Sequence, residues 1–172
     1  MTIFTTITDT PLGKIQAAAE NKTLTGLWFM GQKYFPSGSE AWINEPDYPV
    51  FTALGKWLKG YFAGKNPEMH IPLSPTGSGF CKSSDFRKSV WKILLEIPYG
   101  KTVTYGDISA KLLNSGINSS AQAVGGAVGH NPISILIPCH RVLGSDGSLT
   151  GYAGGTEKKR FLLELEKGIS NA

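Results

Sequence analysis

Residues 131–142 read Asn131-Pro-Ile-Ser-Ile-Leu-Ile-Pro-Cys-His-Arg-Val142, and the rest of the chain can be organised around this stretch. The largely apolar run from Ile133 to Ile137 predicts a buried strand. It leads into Cys139 and His140, the residue types of a nucleophile and its base. A free cysteine has a pKa of about 8.5, so the thiol needs help to ionise at neutral pH. Neighbouring side chains of an extended segment point to different sides, so direct contact with His140 does not follow, and a bridging water is an alternative.

Two predicted helices joined by a short turn precede this stretch. They run from Thr104 to Leu113 and from Ser119 to Gly129, and Ser119 and Gln122 stand at the spacing of a capping box. The pair resembles a helix-turn-helix, although any helical hairpin has the same pattern.

The second of these helices is rich in small residues. Glycine in a helix interior costs about 1 kcal/mol relative to alanine, so something should compensate. Close packing against another helix is one explanation, and the close approach of a DNA backbone is the other. The sequence alone leaves both open for Ala121, Ala123, Gly125, Gly126, Ala127 and Gly129.

The remaining elements suggest two domains and a linker. Apolar positions predict further C-terminal helices over Asp85–Ile97 and Lys158–Glu166. The first half predicts a small mixed domain, with residues 1–75 followed by a Pro-, Gly- and Ser-rich linker over 76–84 and a second domain over 85–172. Within the first domain we predict strands over 1–8, 14–19, 24–30 and 69–71 and a helix over 51–62.

Composition narrows the class of protein. Of 172 residues, 41% are hydrophobic and 17% charged, which is typical of globular proteins. The first residues do not have the pattern of a secretory signal, and no segment reaches the roughly 20 apolar residues of a membrane span. We therefore expect a cytoplasmic protein that does not bind a membrane. Cys81 and Cys139 are interpreted as free thiols, and neither they nor His70 and His130 have metal-ligand spacing, so we expect no metal. A net charge of +4 is compatible with a polyanionic partner.

The wider string around Cys139 resembles the active-site signature of the methylated-DNA–protein-cysteine methyltransferases, also called 6-O-alkylguanine-DNA alkyltransferases. Its Pro-Cys-His-Arg-Val core is highly specific to that family. Four further segments resemble the family in the same order: Thr104-Tyr105-Gly106-Asp107-Ile108, Ala123-Val124-Gly125-Gly126-Ala127, Gly151-Tyr152-Ala153-Gly154-Gly155 and Leu162-Leu163-Glu164-Leu165-Glu166.

The resemblance implies an α/β (α+β) fold and a suicide reaction. A small ribonuclease-H-like domain would precede a winged-helix-like, mostly helical domain that binds DNA and holds the active site. A methyl or alkyl group would pass irreversibly from O-6 of guanine, and possibly from O-4 of thymine, to the Cys139 thiol. The partner would be double-stranded DNA containing alkylated guanine, bound by a monomer without a cofactor.

The resemblance also implies roles for individual residues. Glu166 would orient His140, His140 would take the proton of Cys139, Tyr105 would donate a proton toward the purine, and Asn131 would tie the helices to the active-site segment. The flipped base would lie in a pocket formed by Val128, Val142, Tyr152 and Ala153. Residues implied in DNA binding are Ser120, Ala121, Gln122, Ala123, Gly125 and Arg141.

Two features depart from the family pattern. Gln122 stands where many members have an arginine that replaces the extruded base, so we expect weaker or less salt-dependent binding, with the Gln amide contacting the orphaned base. The stretch Gly79-Phe-Cys-Lys82 is longer than the usual linker, and Cys81 is not expected to accept alkyl groups.

Two other functions fit parts of the pattern. A non-catalytic sensor of alkylguanine would bind the lesion without transfer, although related sensors replace the nucleophile that this chain retains. A Cys-His hydrolase unrelated to DNA would show turnover and a labile thioester.

Overall fold

The computed structural model describes residues 2–75 and 83–170. The chain forms two compact units, Met1–Lys82 and Ser83–Ala172. The architecture is the expected mixed α/β fold, with a sheet in the first unit and mostly helices in the second. The domain limits at residues 75 and 85 stay a prediction. Cys81 and most of the predicted linker lie outside the described residues.

The first unit is built on a four-stranded sheet of order β3-β2-β1-β4. Its strands are β1 (Phe4–Thr10), β2 (Gly13–Glu20), β3 (Thr23–Phe29) and the short β4 (Ile43–Asn44). Strands β1, β2 and β3 are antiparallel neighbours, whereas β4 pairs with β1 in parallel. Asn21 and Lys22 have φ of 49° and 62°, the left-handed backbone that a two-residue hairpin between β2 and β3 requires.

Helix α1 (Pro49–Phe62) packs on this sheet. Val50, Phe51, Leu54, Leu58 and Tyr61 recur at helical spacing and are buried. The predicted strand over residues 69–71 is absent, and the chain pairs with the sheet only just after this segment, through an isolated bridge between Leu73 and Leu24.

The second unit contains helices α2 (Asp85–Leu95), α3 (Tyr105–Asn114), α4 (Ala121–Gly129) and α5 (Thr156–Ser170). Strands β5 (Val103–Thr104) and β6 (Val142–Leu143) form a short parallel pair. This pair joins the start of α3 to the segment after Cys139, so it sets the two parts of the site side by side.

Helix α4 begins one residue later than the sequence predicts. Its cap is Ser120, whose side chain accepts a hydrogen bond from the Ala123 N–H at 3.1 Å. The predicted capping box of Ser119 with Gln122 is therefore wrong, and Gln122 is exposed in the first turn.

The predicted strand over Ile133–Ile137 is also wrong. These residues are buried as expected, but they form a series of tight turns. Apolar composition reports burial, and burial does not require an extended backbone.

No helix within residues 2–75 and 83–170 is long and apolar enough to cross a membrane.

Candidate active site

The Asn131 side chain organises the turns that lead to Cys139. Its amide donates to the carbonyl oxygens of Ile133 at 3.2 Å and Ile137 at 2.8 Å, and to Cys139 Sγ at 3.1 Å. Its Oδ1 accepts from the Ile133 N–H at 3.0 Å. Asn131 is 4% exposed, so these bonds form away from water. One side chain thus fixes both the backbone of the segment and the position of the sulfur.

The backbone of this segment turns twice before it reaches Cys139. Ile135 has φ of 70°, and the Leu136 N–H donates to the Ser134 carbonyl at 2.8 Å. Such a turn is rare for a β-branched residue and costs of order 1–3 kcal/mol. A second turn at Pro138 has φ of −81° and ψ of 63°, and it closes with a Cys139 N–H to Ile137 carbonyl bond of 2.8 Å.

The Cys139 thiol is 5% exposed. Burial raises its pKa, and this effect is opposed by the Asn131 hydrogen bond, by the positive charge of Lys159 and by the N–H groups of Cys139 and His140. The resting side chain is therefore a neutral thiol. It lies among groups that stabilise the thiolate once a base removes the proton.

The His140 ring is fully buried and bonded to a carboxylate. Its Nε2 lies 2.7 Å from Glu166 Oε1. Burial lowers the pKa of His140, although the Glu166 hydrogen bond and charge oppose this shift. We assign a neutral ring with its proton on Nε2, because an ionised carboxylate can only accept. The basic nitrogen is then Nδ1.

Arg141 holds the other side of the same carboxylate. Its Nε donates to Glu166 Oε2 and its Nη2 to Oε1, both at 2.9 Å, and its Nη1 donates to the Ile97 carbonyl at 2.6 Å. The residue is 9% exposed. This placement argues against the direct DNA contact predicted for Arg141, because the guanidinium is committed to Glu166 and Ile97.

The turn after α2 completes this cluster, and no motif in the sequence indicated its role. The Gly100 N–H donates to Glu166 Oε2 at 3.2 Å, and the Arg141 guanidinium lies 5.7 Å from the centre of the Tyr99 ring. Burial would raise the pKa of Glu166, but hydrogen bonds from His140 and then Arg141 outweigh it and lower the pKa to about 2.

Tyr105 is the first residue of α3 and reaches the glycine-rich loop. Its hydroxyl donates to the Thr150 carbonyl at 2.8 Å. Burial and then proximity to Cys139 raise its pKa, so it is a protonated phenol. Gly151 has φ of 80°, and a Cβ there would lie 2.8 Å from the Tyr105 hydroxyl, so only glycine fits beside this phenol.

Lys159 is another member of the site that no motif in the sequence indicated. It is fully buried and donates to the carbonyls of Val142 at 2.5 Å and Thr150 at 2.9 Å. Burial lowers its pKa to about 8, against the opposing effect of Cys139.

The residues predicted to line a base pocket differ in exposure. Val128 and Val142 are buried, whereas Tyr152 and Ala153 are half-buried. Burial and then the nearby Cys139 and Glu166 raise the pKa of Tyr152 well above its usual value.

Helix α4 exposes several of its small residues, although Ala127 is buried. Its buried side carries Val124, Ala127 and Val128, and the Trp91 indole N–H donates to the Ala127 carbonyl at 2.9 Å. Ser120, Ala121, Gln122, Ala123 and Gly126 are exposed, and Gly125 is half-buried. A Cβ at Gly126 would meet no atom within 4 Å, so packing inside the protein does not explain this glycine.

No group of three or more His, Cys, Asp or Glu side chains in the described part of the chain is arranged to hold a metal ion.

Comparison with known proteins identifies the same two parts of the chain. The family model for the DNA binding domain of 6-O-methylguanine DNA methyltransferase matches residues 85–168. The model for the ribonuclease-like domain of the same enzyme matches residues 3–75.

Individual relatives agree over nearly the full length. The methylated-DNA–protein-cysteine methyltransferase of Mycobacterium tuberculosis is 45% identical over 95% of this chain and 92% of its own. That of Haemophilus influenzae is 39% identical over 96% and 87%. The crystal structure of Mycobacterium tuberculosis OGT in complex with DNA superposes with a TM-score of 0.83 at 40% identity, covering 96% of this chain and 94% of that one. Two matching domain models and these full-length likenesses place the chain in the methylated-DNA–protein-cysteine methyltransferase family.

Proposed function

We infer that this protein repairs DNA by moving an alkyl group from O-6 of guanine onto the thiol of Cys139, once per molecule. The observation that carries the inference is the buried Cys139 thiol, held by Asn131 at 3.1 Å beside the His140–Glu166 pair. A methyltransferase of this family needs a cysteine acceptor, and Cys139 is the cysteine within the described residues.

The proton of the thiol passes to His140 in this mechanism. Glu166 is ionised and accepts the Nε2 hydrogen, which leaves Nδ1 as the acceptor. A water between Sγ and Nδ1 relays the proton, and the Glu166 carboxylate stabilises the imidazolium that forms. Because burial keeps the resting thiol neutral, the reactive thiolate forms only when His140 accepts the proton.

The alkyl transfer is a displacement at the alkyl carbon. The thiolate attacks that carbon, an S–C bond forms, and the C–O bond breaks with its electron pair going to the purine. Tyr105 donates its phenol proton to the purine ring, which makes guanine a better leaving group. The Tyr105 hydroxyl, which donates to Thr150 in this structure, turns toward the base to do so. The thioether has no good leaving group, so the thiol is not regenerated.

We propose that helix α4 meets the minor groove of double-stranded DNA through its exposed residues. Extrusion of the damaged base costs a few kcal/mol, and less when alkylation has weakened its pairing. Val128, Val142, Tyr152 and Ala153 would line the pocket for this base. Gln122 would take the place of the extruded nucleotide, and the other contacts would come from Ser120, Ala121, Ala123 and Gly125. We propose that the protein acts as a monomer, since one copy of the site is sufficient for an irreversible reaction. We also propose that it acts in the cytoplasm.

Intact mass spectrometry of the protein mixed with a duplex containing O-6-methylguanine tests the function. The expected result is a gain of one CH₂ unit per molecule, mapped by peptide analysis to Cys139, with no further loss of lesions after one equivalent. Binding without a mass gain would instead indicate a sensor, and repeated turnover a hydrolase.

A prediction about Gly126 tests the DNA-facing role of α4. Gly126→Ala is expected to raise the stability of the second unit by about 1 kcal/mol, because alanine has the higher helix propensity and the structure has room for its methyl group. The same methyl group would obstruct close approach of DNA, so affinity for duplex should fall. Thermal unfolding and fluorescence anisotropy measure the two effects.

Gly55→Ala is the matched control, since Gly55 also lies within a helix and a methyl group added there would also meet no atom within 4 Å. Unchanged duplex affinity in the Gly126 variant would contradict docking through this face.

A further inference from the structure

Lys159 is buried where a lysine is electrostatically costly. Its side chain is 0% exposed, although an ammonium removed from water loses several kcal/mol of hydration. It also lies in the first turn of α5, where the helix dipole is positive and disfavours a cation. A charged group that persists against both costs is a candidate for a functional role.

The contacts of Lys159 join separate parts of the site. Its Nζ donates to the Val142 carbonyl, just after the Cys-His-Arg turn, and to the Thr150 carbonyl, eight residues further along. The Thr150 carbonyl also accepts from the Tyr105 hydroxyl, and Nζ lies 5.9 Å from the centre of the Tyr105 ring. One ammonium group therefore ties together the two ends of the loop over residues 142–150 and anchors it beside the phenol.

The charge of Lys159 also acts on the nucleophile. It lowers the pKa of Cys139 against the effect of burial, and Cys139 in turn raises the pKa of Lys159. The two charged forms thus stabilise each other. The other titratable or charged groups that act on Cys139 or its base are Tyr105, His140, Arg141, Tyr152 and Glu166.

We propose that Lys159 is a positioning residue for alkyl transfer, which anchors the 142–150 loop through its hydrogen bonds to the Val142 and Thr150 carbonyls and adds a positive charge to the surroundings of the Cys139 thiol. This inference rests on the proposed function, because the reaction it serves is transfer to Cys139. Lys159 is not itself a proton donor or acceptor in the step: the proton goes to His140 and the alkyl group to sulfur.

Lys159→Met tests the proposal, because methionine fills a similar volume without a charge or an N–H donor. Lys167→Met is the matched control, since Lys167 is exposed on the same helix and its loss changes the net charge equally. The variants are compared by the pH dependence of Cys139 alkylation with iodoacetamide and by single-turnover transfer from methylated duplex. Lys159→Met should be at least about tenfold slower at pH 7 in both, as a rise of one unit in the thiol pKa produces, while Lys167→Met matches the wild type.

A purely structural role would not move the pH midpoint of the iodoacetamide reaction. Lys159→Met is expected to shift this midpoint upward, and Lys159→Arg, which keeps a positive charge, is expected to react faster than Lys159→Met. A folded Lys159→Met protein with wild-type rates and midpoint would overturn the proposal.

A measurement on the unaltered protein covers the case in which the variants do not fold. Carbon-13 NMR of the Lys159 side chain should show titration near pH 8, so that the side chain is positively charged at pH 7. A Lys159 side chain that is neutral at pH 7 would overturn the proposal, because it could supply no positive charge there. If the wild type gains no methyl group from DNA, the proposed function fails, and the iodoacetamide comparison still decides the role of Lys159.

Discussion

Glu166→Gln is expected to slow alkyl transfer by at least about a hundredfold and to destabilise the second unit by about 3–5 kcal/mol. The carboxylate accepts from His140 Nε2 at 2.7 Å, twice from Arg141 at 2.9 Å, and from the Gly100 N–H at 3.2 Å. An amide cannot accept on its nitrogen, and it leaves the buried Arg141 charge uncompensated. The transfer rate falls because His140 loses its orientation and basicity. The stability falls because the Arg141 charge is left unpaired.

The pH dependence of the free energy of unfolding is a second test of the role of the Glu166 carboxylate. Its pKa is lowered from 4.5 to about 2 in the folded protein, so the unfolded chain binds the proton more readily. The resulting stabilisation, about 3 kcal/mol, is present above pH 4.5 and is lost as the pH falls toward 2. Glu166→Gln should therefore have a flatter stability profile in that window than the wild type.

Urea unfolding at a series of pH values, followed by circular dichroism, and single-turnover transfer measure these effects. Glu164→Gln is the matched control, because Glu164 is exposed on the same helix. Wild-type transfer rates in Glu166→Gln would remove His140 and Glu166 from the mechanism.

The main elements around the site could be predicted from the sequence because their signals are local. Apolar spacing in α1 and α2 is a property of neighbouring residues, and the structure contains these helices at nearly the predicted positions. The cap of α4 was displaced by one residue because Ser119 and Ser120 are chemically equivalent in sequence, and only backbone geometry selects Ser120.

The path of residues 131–139 could not be predicted, because it depends on one side chain bonding to its own downstream backbone. Asn131 replaces strand pairing by its bonds to Ile133 and Ile137, and Ile135 adopts a left-handed φ that composition disfavours. Composition favours a strand for such an apolar run, and the hydrogen bonds of the Asn131 side chain override this preference.

Arg141 and Lys159 show the limits of interpreting charge from sequence. A basic residue in a DNA-repair pattern is easily taken as a phosphate contact, and a lysine in a terminal helix as a solvated one. Arg141 instead bonds to Glu166, and Lys159 to two carbonyls of a loop before its helix. Glu166 lies 25 residues from Arg141, and the two carbonyls lie 17 and 9 residues from Lys159, so no local pattern reveals these contacts.

Asn131→Asp is expected to reduce alkyl transfer by about a hundredfold or more while preserving the shape of the side chain. The asparagine amide supplies the N–H groups that reach Cys139 Sγ and the Ile137 carbonyl, at 3.1 and 2.8 Å. An ionised aspartate has no donor and places a negative charge beside the sulfur, which raises the thiol pKa further. A protonated aspartate has a single donor, so at least one buried acceptor loses its partner at a cost of about 1–3 kcal/mol.

The reactivity of Cys139 toward iodoacetamide as a function of pH, together with transfer from methylated duplex, separates this effect from simple unfolding. The midpoint of the iodoacetamide reaction should move upward in Asn131→Asp, while circular dichroism shows whether the second unit remains folded. Asn66→Asp is the matched control, since Asn66 is exposed in the first unit and the substitution adds the same negative charge. If Asn131→Asp reacted at the wild-type rate at pH 7, the Asn131–Sγ bond would have no part in preparing the nucleophile, and the thiol would owe its reactivity to His140, Lys159 and the backbone N–H groups.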